Sequence, residues 1–257
     1  MKVILFTIGD FPIRSYGIIV MLAVFLSMGV AHYLTRNTIY QKHIMNMMFF
    51  VIIGALIGAR IWHVFFFQWG YYSQNISQIF AIWNGGIAIQ GALMGGLATV
   101  FIYTRVYKIS FFEFADYLAP AVIFGQAIGR IACFLNGDAY GSPTNAGFGI
   151  VYPPGTMAFD QYGSQPLWPA EIWEGQWDLV VFAILIMIRN KTLPVGYHFV
   201  TYSIMYAIGR FFLEFLRGDS PRYSFNWTAG QWTSAFVVLG SAAALLYLFN
   251  KARKKGK

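Results

Sequence analysis

The chain has 257 residues, of which 58% are hydrophobic and only 11% are charged, far below the roughly 25% of charged residues in a soluble domain. Its single cysteine excludes an internal disulfide and a cysteine metal cluster. The net charge of +8 comes from cations spread over connecting segments and the tail, which indicates topology signals and not a nucleic-acid surface. The sequence therefore predicts an integral membrane protein.

Seven apolar stretches of near-membrane length follow one another along the chain. The predicted helices cover residues 16–35, 46–67, 88–107, 114–135, 177–189, 197–217 and 230–249. Because a span needs about 20 residues, they predict one polytopic, all-α membrane domain over residues 1–257 with about seven transmembrane helices. The fifth is short, and we expect it to begin near Ala170. The opening MKVILFTIGDFP has no small-residue cleavage site, so we expect the first helix and not a signal peptide to direct insertion.

Basic residues follow every second predicted helix. They lie after the first, third, fifth and seventh helices, at Arg36, Lys42, Arg105, Lys108, Arg189, Lys191 and in the tail 251–257. The second and fourth connections, residues 68–87 and 136–176, contain no Lys or Arg. The positive-inside rule therefore predicts an outside N-terminus and an inside C-terminus.

The connection 136–176, between the fourth and fifth helices, is rich in glycine, proline and aromatic residues. Loops of this length are usually functional or disordered. Its aromatic side chains favour packing over disorder. We therefore expect 136–176 to form a small extracytoplasmic head.

The stretch GQAIGRIACFLNGDAYG, residues 125–141, places Arg130 inside a membrane-length helix. An arginine at membrane depth costs at least about 2.5–3.5 kcal/mol on insertion scales, so it indicates a functional site. The plain alternative is that Arg130 snorkels to the outer headgroups without a ligand. Asn136 and Asp138 then end the helix with polar groups that can hydrogen-bond a lipid headgroup.

A second charged cluster occurs in YAIGRFFLEFLRGD, residues 206–219. Arg210 and Glu214 are four residues apart and share a helix face, one turn after Tyr206. An internal ion ladder that only makes these charges tolerable is the alternative. Arginine suits a phosphodiester because its hydrogen bonds to phosphate can be bidentate. We therefore expect Arg130 and Arg210 to bind one anionic headgroup, with Glu214 orienting a guanidinium.

The third predicted helix opens with WNGGIAIQGALMGG, residues 83–96, whose glycines indicate a close-packing or lipid-access face. Gln90 is its polar side chain, and an interhelical hydrogen bond is the plain interpretation of a glutamine there. Tyr16 opens the first helix, where an interfacial anchor is the plain interpretation. Cys133 follows Arg130 by three residues and is expected to be a packing residue.

These motifs resemble the bacterial phosphatidylglycerol–prolipoprotein diacylglyceryl transferases over nearly the whole chain. The matching pieces, in the expected order, are RSYG (14–17), GGIAIQGALMGG (85–96), GRIACFLNGDAYG (129–141), WPAEIWE (168–174), YAIGRFFLEFLRGD (206–219) and AGQWTSA (229–235). The resemblance implies a seven-helix protein of the bacterial cytoplasmic membrane. It also implies transfer of the diacylglyceryl group of phosphatidylglycerol to the lipobox cysteine of a preprolipoprotein, with glycerol phosphate leaving and a thioether forming.

The resemblance also assigns residues. Arg130 matches the family's essential phosphate-binding arginine. The other positions that match functional or neighbouring residues of the family are Tyr16, Asn136, Gly141, Tyr206, Arg210 and Glu214. No cofactor or metal is implied, the partners are phosphatidylglycerol, membrane lipid and preprolipoprotein signal peptides, and we expect a monomer.

Three positions depart from the family pattern. Gln90 replaces the usual histidine, Cys133 an asparagine and Asp138 a glutamate. An amide cannot accept a proton near neutral pH, so Gln90 leaves the base open, with Asp138 or Glu214 as candidates. These departures motivate an alternative: a paralogue that binds or moves anionic lipid without thiol transfer. A solute transporter predicts inverted repeats or paired half-helices, which the sequence does not display.

Overall fold

The computed structural model describes residues 1, 3–9 and 11–255. Two strands, β1 (Ile4–Ile8) and β2 (Phe11–Arg14), come first. The helices follow in chain order: α1 (Ser15–Thr35), α2 (Gln41–Trp62), α3 (Trp69–Tyr72), α4 (Ile89–Val106), α5 (Phe111–Asn136), α6 (Met157–Tyr162), α7 (Ala170–Ile188), α8 (Tyr197–Leu213) and α9 (Ala229–Lys255). Positions 2 and 10 of the opening segment and positions 256 and 257 of the basic tail lie outside the described residues.

Each of the predicted apolar stretches corresponds to a long helix, and α7 begins at Ala170 as expected. Among the described residues, five helices are long and apolar enough to cross a membrane. They are Ser15–Thr35, Gln41–Phe67, Phe111–Asn136, Tyr197–Leu216 and Ala229–Asn250. The fold is therefore mostly helical and fits an all-α membrane protein.

A short β hairpin before α1 is an addition that the helix pattern did not indicate. Strands β1 and β2 pair antiparallel, and the amide of Ser15 donates to the carbonyl of Val3 at 3.0 Å. The first strand is rich in β-branched and aromatic residues, which suit a pleated strand. Gly9, with φ of +59°, supplies the left-handed conformation that the turn requires.

The chain divides into two compact units, residues 1–34 with 115–257 and residues 35–114. In the second unit, α2 and α4 pack glycine against glycine. A Cβ atom added at Gly91 would overlap the carbonyl oxygen of Gly58, and one at Gly95 would overlap that of Gly54. Small residues four apart on both helices let the backbones approach closely, so the predicted close-packing face is confirmed for Gly91 and Gly95.

Arg60, near the end of α2, is 7% exposed. It holds the segment that leads into α4 through hydrogen bonds. Its guanidinium donates only to backbone carbonyls in the segment 78–86. The acceptors are Gln78 (2.6 Å), Ile79 (2.8 Å), Ala81 (3.3 Å), Gly85 (2.6 Å) and Gly86 (2.7 Å). All five N–H donors of an arginine are thereby used, so Arg60 has a structural role.

In the first unit, α5, α7 and α8 pack around a shared apolar layer. Its buried residues are Ala119, Ile123, Val181 and Leu185. The indole of Trp177 donates to the carbonyl of Met205 at 2.9 Å and ties α7 to α8. This layer places the end of α5, the start of α7 and the end of α8 side by side, and the charged residues lie there.

The connection 137–169 is packed around its own small core, Tyr140, Tyr152, Ala158 and Leu167. Ile150 and Leu167 exchange backbone hydrogen bonds, each of 2.9 Å. The hydroxyl of Thr156 accepts from the amide of Phe159 at 3.3 Å and so caps α6. The expected packing of its aromatic residues is confirmed, while its extracytoplasmic position stays a prediction.

Candidate active site

Arginines from two distant parts of the chain meet at Glu174 on α7. Nη2 of Arg130 on α5 lies 2.5 Å from Oε2 of Glu174, and Nη1 of Arg210 on α8 lies 2.6 Å from Oε1. Glu174 is 4% exposed, whereas Arg130 and Arg210 are 18% and 20% exposed. The expected convergence of the two arginines is confirmed, and its centre is a carboxylate that the sequence analysis did not single out.

Arg217 joins this cluster from the segment that follows α8. Its Nη1 lies 3.3 Å from Oε1 of Glu174. Its Nε and Nη2 donate to the two oxygens of Asp219 at 2.6 and 2.5 Å. Burial opposes the charge of Arg217, but Asp219, Glu174 and Glu214 outweigh burial and raise the pKa of its guanidinium. Arg217 is therefore a fixed cation of the cluster.

Glu214 holds Arg210 from the other side. Its Oε2 lies 2.8 Å from Nη2 of Arg210, and its Oε1 accepts from the hydroxyl of Thr228 at 3.0 Å. Gln231 fixes Thr228 in turn, since its Oε1 accepts from the Thr228 amide at 3.0 Å. The AGQWTSA motif at the start of α9 thus supports the arginine of α8. The predicted pairing of Arg210 with Glu214 is confirmed.

The charges of this cluster balance. Arg130, Arg210 and Arg217 face Glu174, Glu214 and Asp219. Removing one partner of a buried ion pair typically costs about 3–5 kcal/mol, so these pairs make the charges tolerable at membrane depth. The ion ladder is therefore real, and Arg130 does not rely on snorkelling alone. Among the described residues, Arg130 uses Nη2 on Glu174 and makes no hydrogen bond with Nε or Nη1.

Two cavities adjoin the arginines. A small one lies among Arg130, Glu174, Asp178, Tyr206 and Arg210. An apolar one of about 190 Å³ lies between α5 and α7 and reaches Arg130. Its walls are otherwise mostly aliphatic and aromatic, as an acyl chain requires. Arg130 is therefore accessible from an apolar space.

Two predicted polar residues lie at the end of α5. Asn136 is the last residue of α5, and Asp138 follows in the turn. Burial raises the pKa of Asp138, although hydrogen bonds with Asn136 and Cys133 act in the opposite direction. The amide of Gly141 donates to the carbonyl of Trp168 at 3.1 Å. A Cβ atom at Gly141 would overlap that carbonyl, so this glycine allows close backbone packing.

The remaining predicted site residues lie in three places. Tyr206 lines the small cavity between the arginines. Tyr16 is the second residue of α1 and is 39% exposed. Gln90 is exposed at the second position of α4, in the second unit, while the other predicted site residues belong to the first unit.

Three buried acidic residues of α7 were missed. Glu171, Glu174 and Asp178 occur at intervals of three and four residues on one face of an apolar helix. The test that singled out Arg130, a charge within a membrane-length segment, applies to them equally. All three lie within the helix expected to begin near Ala170, so the signal was present and was not applied to them. The hydroxyl of Tyr152 donates to Glu171, which links the head to this helix.

The chain is similar to proteins of one family along nearly its whole length. The profile of the prolipoprotein diacylglyceryl transferase family matches residues 3–247. The chain is 37% identical to the phosphatidylglycerol–prolipoprotein diacylglyceryl transferase of Acaryochloris marina over 219 residues, 84% of this chain and 80% of that protein. It is 35% identical to the protein of that name from Bacillus licheniformis over 254 residues, covering 98% and 94%. The Staphylococcus aureus protein of the same name is 36% identical over 245 residues, covering 94% and 87%. These matches along nearly its whole length show that the chain belongs to the prolipoprotein diacylglyceryl transferase family.

Proposed function

We propose that the protein transfers the diacylglyceryl group of phosphatidylglycerol to the lipobox cysteine thiol of preprolipoproteins. A thioether forms and glycerol phosphate leaves. The observation that carries this proposal is the meeting of Arg130 and Arg210 at Glu174, next to an apolar cavity that reaches Arg130. The family to which the chain belongs supports the same reaction.

Arg130 and Arg210 bind the lipid phosphate. Glu174 holds both guanidinium groups in place without using all of their N–H donors. The remaining donors can therefore bind a phosphodiester with little reorganisation. As the C–O bond breaks, negative charge grows on the departing glycerol phosphate. In many enzymes, preorganised groups that stabilise the charge developing in the transition state make the largest contribution to the rate enhancement.

The other predicted residues of this unit have separate roles. Tyr206 lies in the same cavity as the arginines and contacts the phosphate. Asn136, Asp138 and Tyr16 hydrogen-bond the glycerol headgroup, and Gly141 allows close packing of its own backbone. Glu214 orients Arg210. Gln90 takes no proton, because an amide is not basic near neutral pH.

We infer the membrane arrangement from the apolar helices and from the distribution of basic residues. In the proposed topology, the five apolar helices and the helices α4 and α7 form seven spans, with the N-terminus outside and the C-terminus inside. The head 136–176 and the arginine cluster then face the outer leaflet of the bacterial cytoplasmic membrane. Exported preprolipoproteins present their lipobox cysteine on this side. The enzyme acts as a monomer and needs no cofactor.

The reaction is tested with purified protein in phosphatidylglycerol vesicles and a lipobox peptide, with the thioether product followed by mass spectrometry. We expect product from the wild type. Arg130→Lys and Arg210→Lys keep the charge but lose the planar fork, so each should reduce kcat/KM by at least about 100-fold, or about 2.7 kcal/mol. Arg222→Lys, an exposed arginine in the same unit, serves as the control and should stay within twofold.

Complementation adds an independent test. The wild type should support growth of bacteria depleted of their own transferase, and Arg130→Ala should not. Phosphatidylglycerol binding without any thioether product would support the lipid-binding alternative and reject the transferase.

A further inference from the structure

The other carboxylates around the arginine cluster each have a partner. Glu174 is shared by three arginines, and Glu214 uses one oxygen on Arg210 and the other on Thr228. Asp219 accepts from Arg217, and one oxygen of Glu171 accepts from Tyr152. Glu174, Glu214 and Asp219 hold the arginines in place and are poor candidates for taking up a proton during turnover.

Asp178 is different. It lies one helical turn after Glu174 on α7, is 2% exposed, and lines the small cavity together with Arg130, Tyr206 and Arg210. Its Oδ2 is buried without a hydrogen-bond partner, as are Oε2 of Glu171 and Oδ1 of Asp138, but those two residues do not line the small cavity. Within the described residues, Asp178 forms no ion pair at contact distance. Asp178 thus brings an unpartnered carboxylate oxygen to the cavity that holds both arginines.

Such a group is expensive to keep for packing alone. Buried polar side chains are hydrogen-bonded in the great majority of cases, and an exception calls for an explanation. A buried carboxylate without a hydrogen-bond partner carries a large desolvation penalty. Protonation removes the charge and so relieves this penalty. Two cations, Arg130 and Arg210, and one anion, Glu174, line the small cavity with Asp178, and Tyr206 of α8 lines it as well. A carboxyl group placed among cations and a second carboxylate suits the uptake and release of a proton.

The reaction needs such a group. A thiol must become a thiolate before it attacks carbon. Because the attacked carbon is bonded to an oxygen of the leaving phosphate, the group that accepts the thiol proton has to lie near the phosphate site. Gln90 is an amide, Glu214 is committed on both oxygens, and Asp138 lies beyond the end of α5 and does not line the small cavity.

We propose that Asp178 accepts the proton of the substrate thiol during diacylglyceryl transfer. This assignment rests on the proposed function. The S–H bond breaks, its proton goes to the Asp178 carboxylate, and the sulfur electron pair forms the new S–C bond. The C–O bond to phosphate breaks, and its electron pair leaves with glycerol phosphate. Asp178 then gives the proton to the leaving phosphate, which restores the carboxylate.

The test compares two lipobox peptides that differ in one atom, one with cysteine and one with selenocysteine. A selenol is already ionised at neutral pH and needs no base, so a variant that lacks only the base should recover on it. Asp178→Asn should lower kcat at least 100-fold with the cysteine peptide and at most tenfold with the selenocysteine peptide. Its KM for phosphatidylglycerol should stay within threefold of wild type. Asp178→Glu should keep at least a tenth of the wild-type kcat.

Glu214→Gln is the matched control, because Glu214 positions Arg210 and does not take the proton. It should lose the same factor with both peptides. The assignment is overturned if Asp178→Asn also loses the same factor with both, or loses less than threefold with cysteine. Recovery on selenocysteine by Asp138→Asn, and not by Asp178→Asn, would move the role to Asp138. A wild type that forms neither thioether nor selenoether would overturn the proposed function itself, whereas an active wild type confines any failure to Asp178.

Discussion

Glu174 is the residue on which the site depends most. Three guanidinium groups, from α5, α8 and the segment after α8, lie within 3.3 Å of its carboxylate oxygens. Without Glu174, Arg130 would lose its ion-pair partner, and Arg210 and Arg217 would keep one each. Like charges in a partly buried setting repel strongly because the surrounding dielectric is low.

Glu174→Gln should therefore destabilise the protein by about 3 kcal/mol or more, the cost of leaving a buried charge uncompensated. Equilibrium unfolding in detergent micelles, followed by tryptophan fluorescence, measures the change. Asp160→Asn, an exposed acidic residue on α6, is the control and should be neutral within about 0.5 kcal/mol. Equal stability of the two variants would contradict the view that Glu174 compensates the cluster.

The raised pKa of Asp138 predicts that the stability of the protein depends on pH. Its pKa in the folded protein is raised by burial, so between about pH 4, the reference value, and that raised pKa the unfolded chain releases the proton first. The contribution of this carboxyl group to stability is thus complete below about pH 4 and is lost as pH rises. The melting temperature of Asp138→Asn, relative to wild type, should increase from pH 4 to pH 7. A difference that stays constant, or shrinks, over that range would contradict the raised pKa.

At the scale of elements, hydrophobicity alone predicted the long helices, because membrane-length apolar runs leave few alternatives. Their ends were less predictable. Helix α2 begins at Gln41, five residues before the predicted 46, since its first turn is polar and carries no apolar signal. The hairpin and the short helices α3 and α6 were missed because they depend on local turns and on contacts within their connections.

The site was predictable in part because charged residues are rare within apolar helices. Arg130, Arg210 and Glu214 stand out as charges in apolar helices, and their spacing shows which of them share a face. Glu174 and Asp178 carry the same signal on the fifth helix, where the sequence analysis did not apply it. Arg217 lies after the helix, where the sequence does not show that the chain turns back toward Glu174.

The glycines of α4 give a prediction at this scale. A Cβ atom at Gly91 would overlap the backbone of α2, whereas one at Gly96 would meet Val51 at an ordinary 3.7 Å. Gly91→Ala should therefore lower the free energy of unfolding by about 1–3 kcal/mol through overpacking. Gly96→Ala, on the same helix, should be neutral or stabilising by up to about 1 kcal/mol because alanine favours a helix. Thermal unfolding in detergent compares the two, and similar losses at both positions would contradict the close approach.

At the scale of the whole molecule, one chain carries two compact units with different kinds of interior. The unit of residues 35–114 is held by glycine packing and by Arg60, and Glu113 is its single acidic residue. The other unit contains the arginine cluster and all of its carboxylates. The acidic groups on which we expect catalysis to depend are therefore confined to one unit.

The proposed orientation in the membrane can be tested with the single cysteine. In a Cys133→Ser background, Phe148→Cys in the head and Lys191→Cys after α7 place one exposed thiol on each predicted side. A membrane-impermeant maleimide should label Phe148→Cys in intact spheroplasts, and should label Lys191→Cys only after lysis. The reverse labelling would overturn the outside N-terminus.

The contacts of Arg60 have a consequence for sequence variation. Its acceptors are five peptide carbonyls, which every residue type carries. The segment 78–86, which leads into the glycine-rich start of α4, is therefore held through its backbone. Side-chain changes in this segment that keep its backbone path should leave the contacts of Arg60 in place.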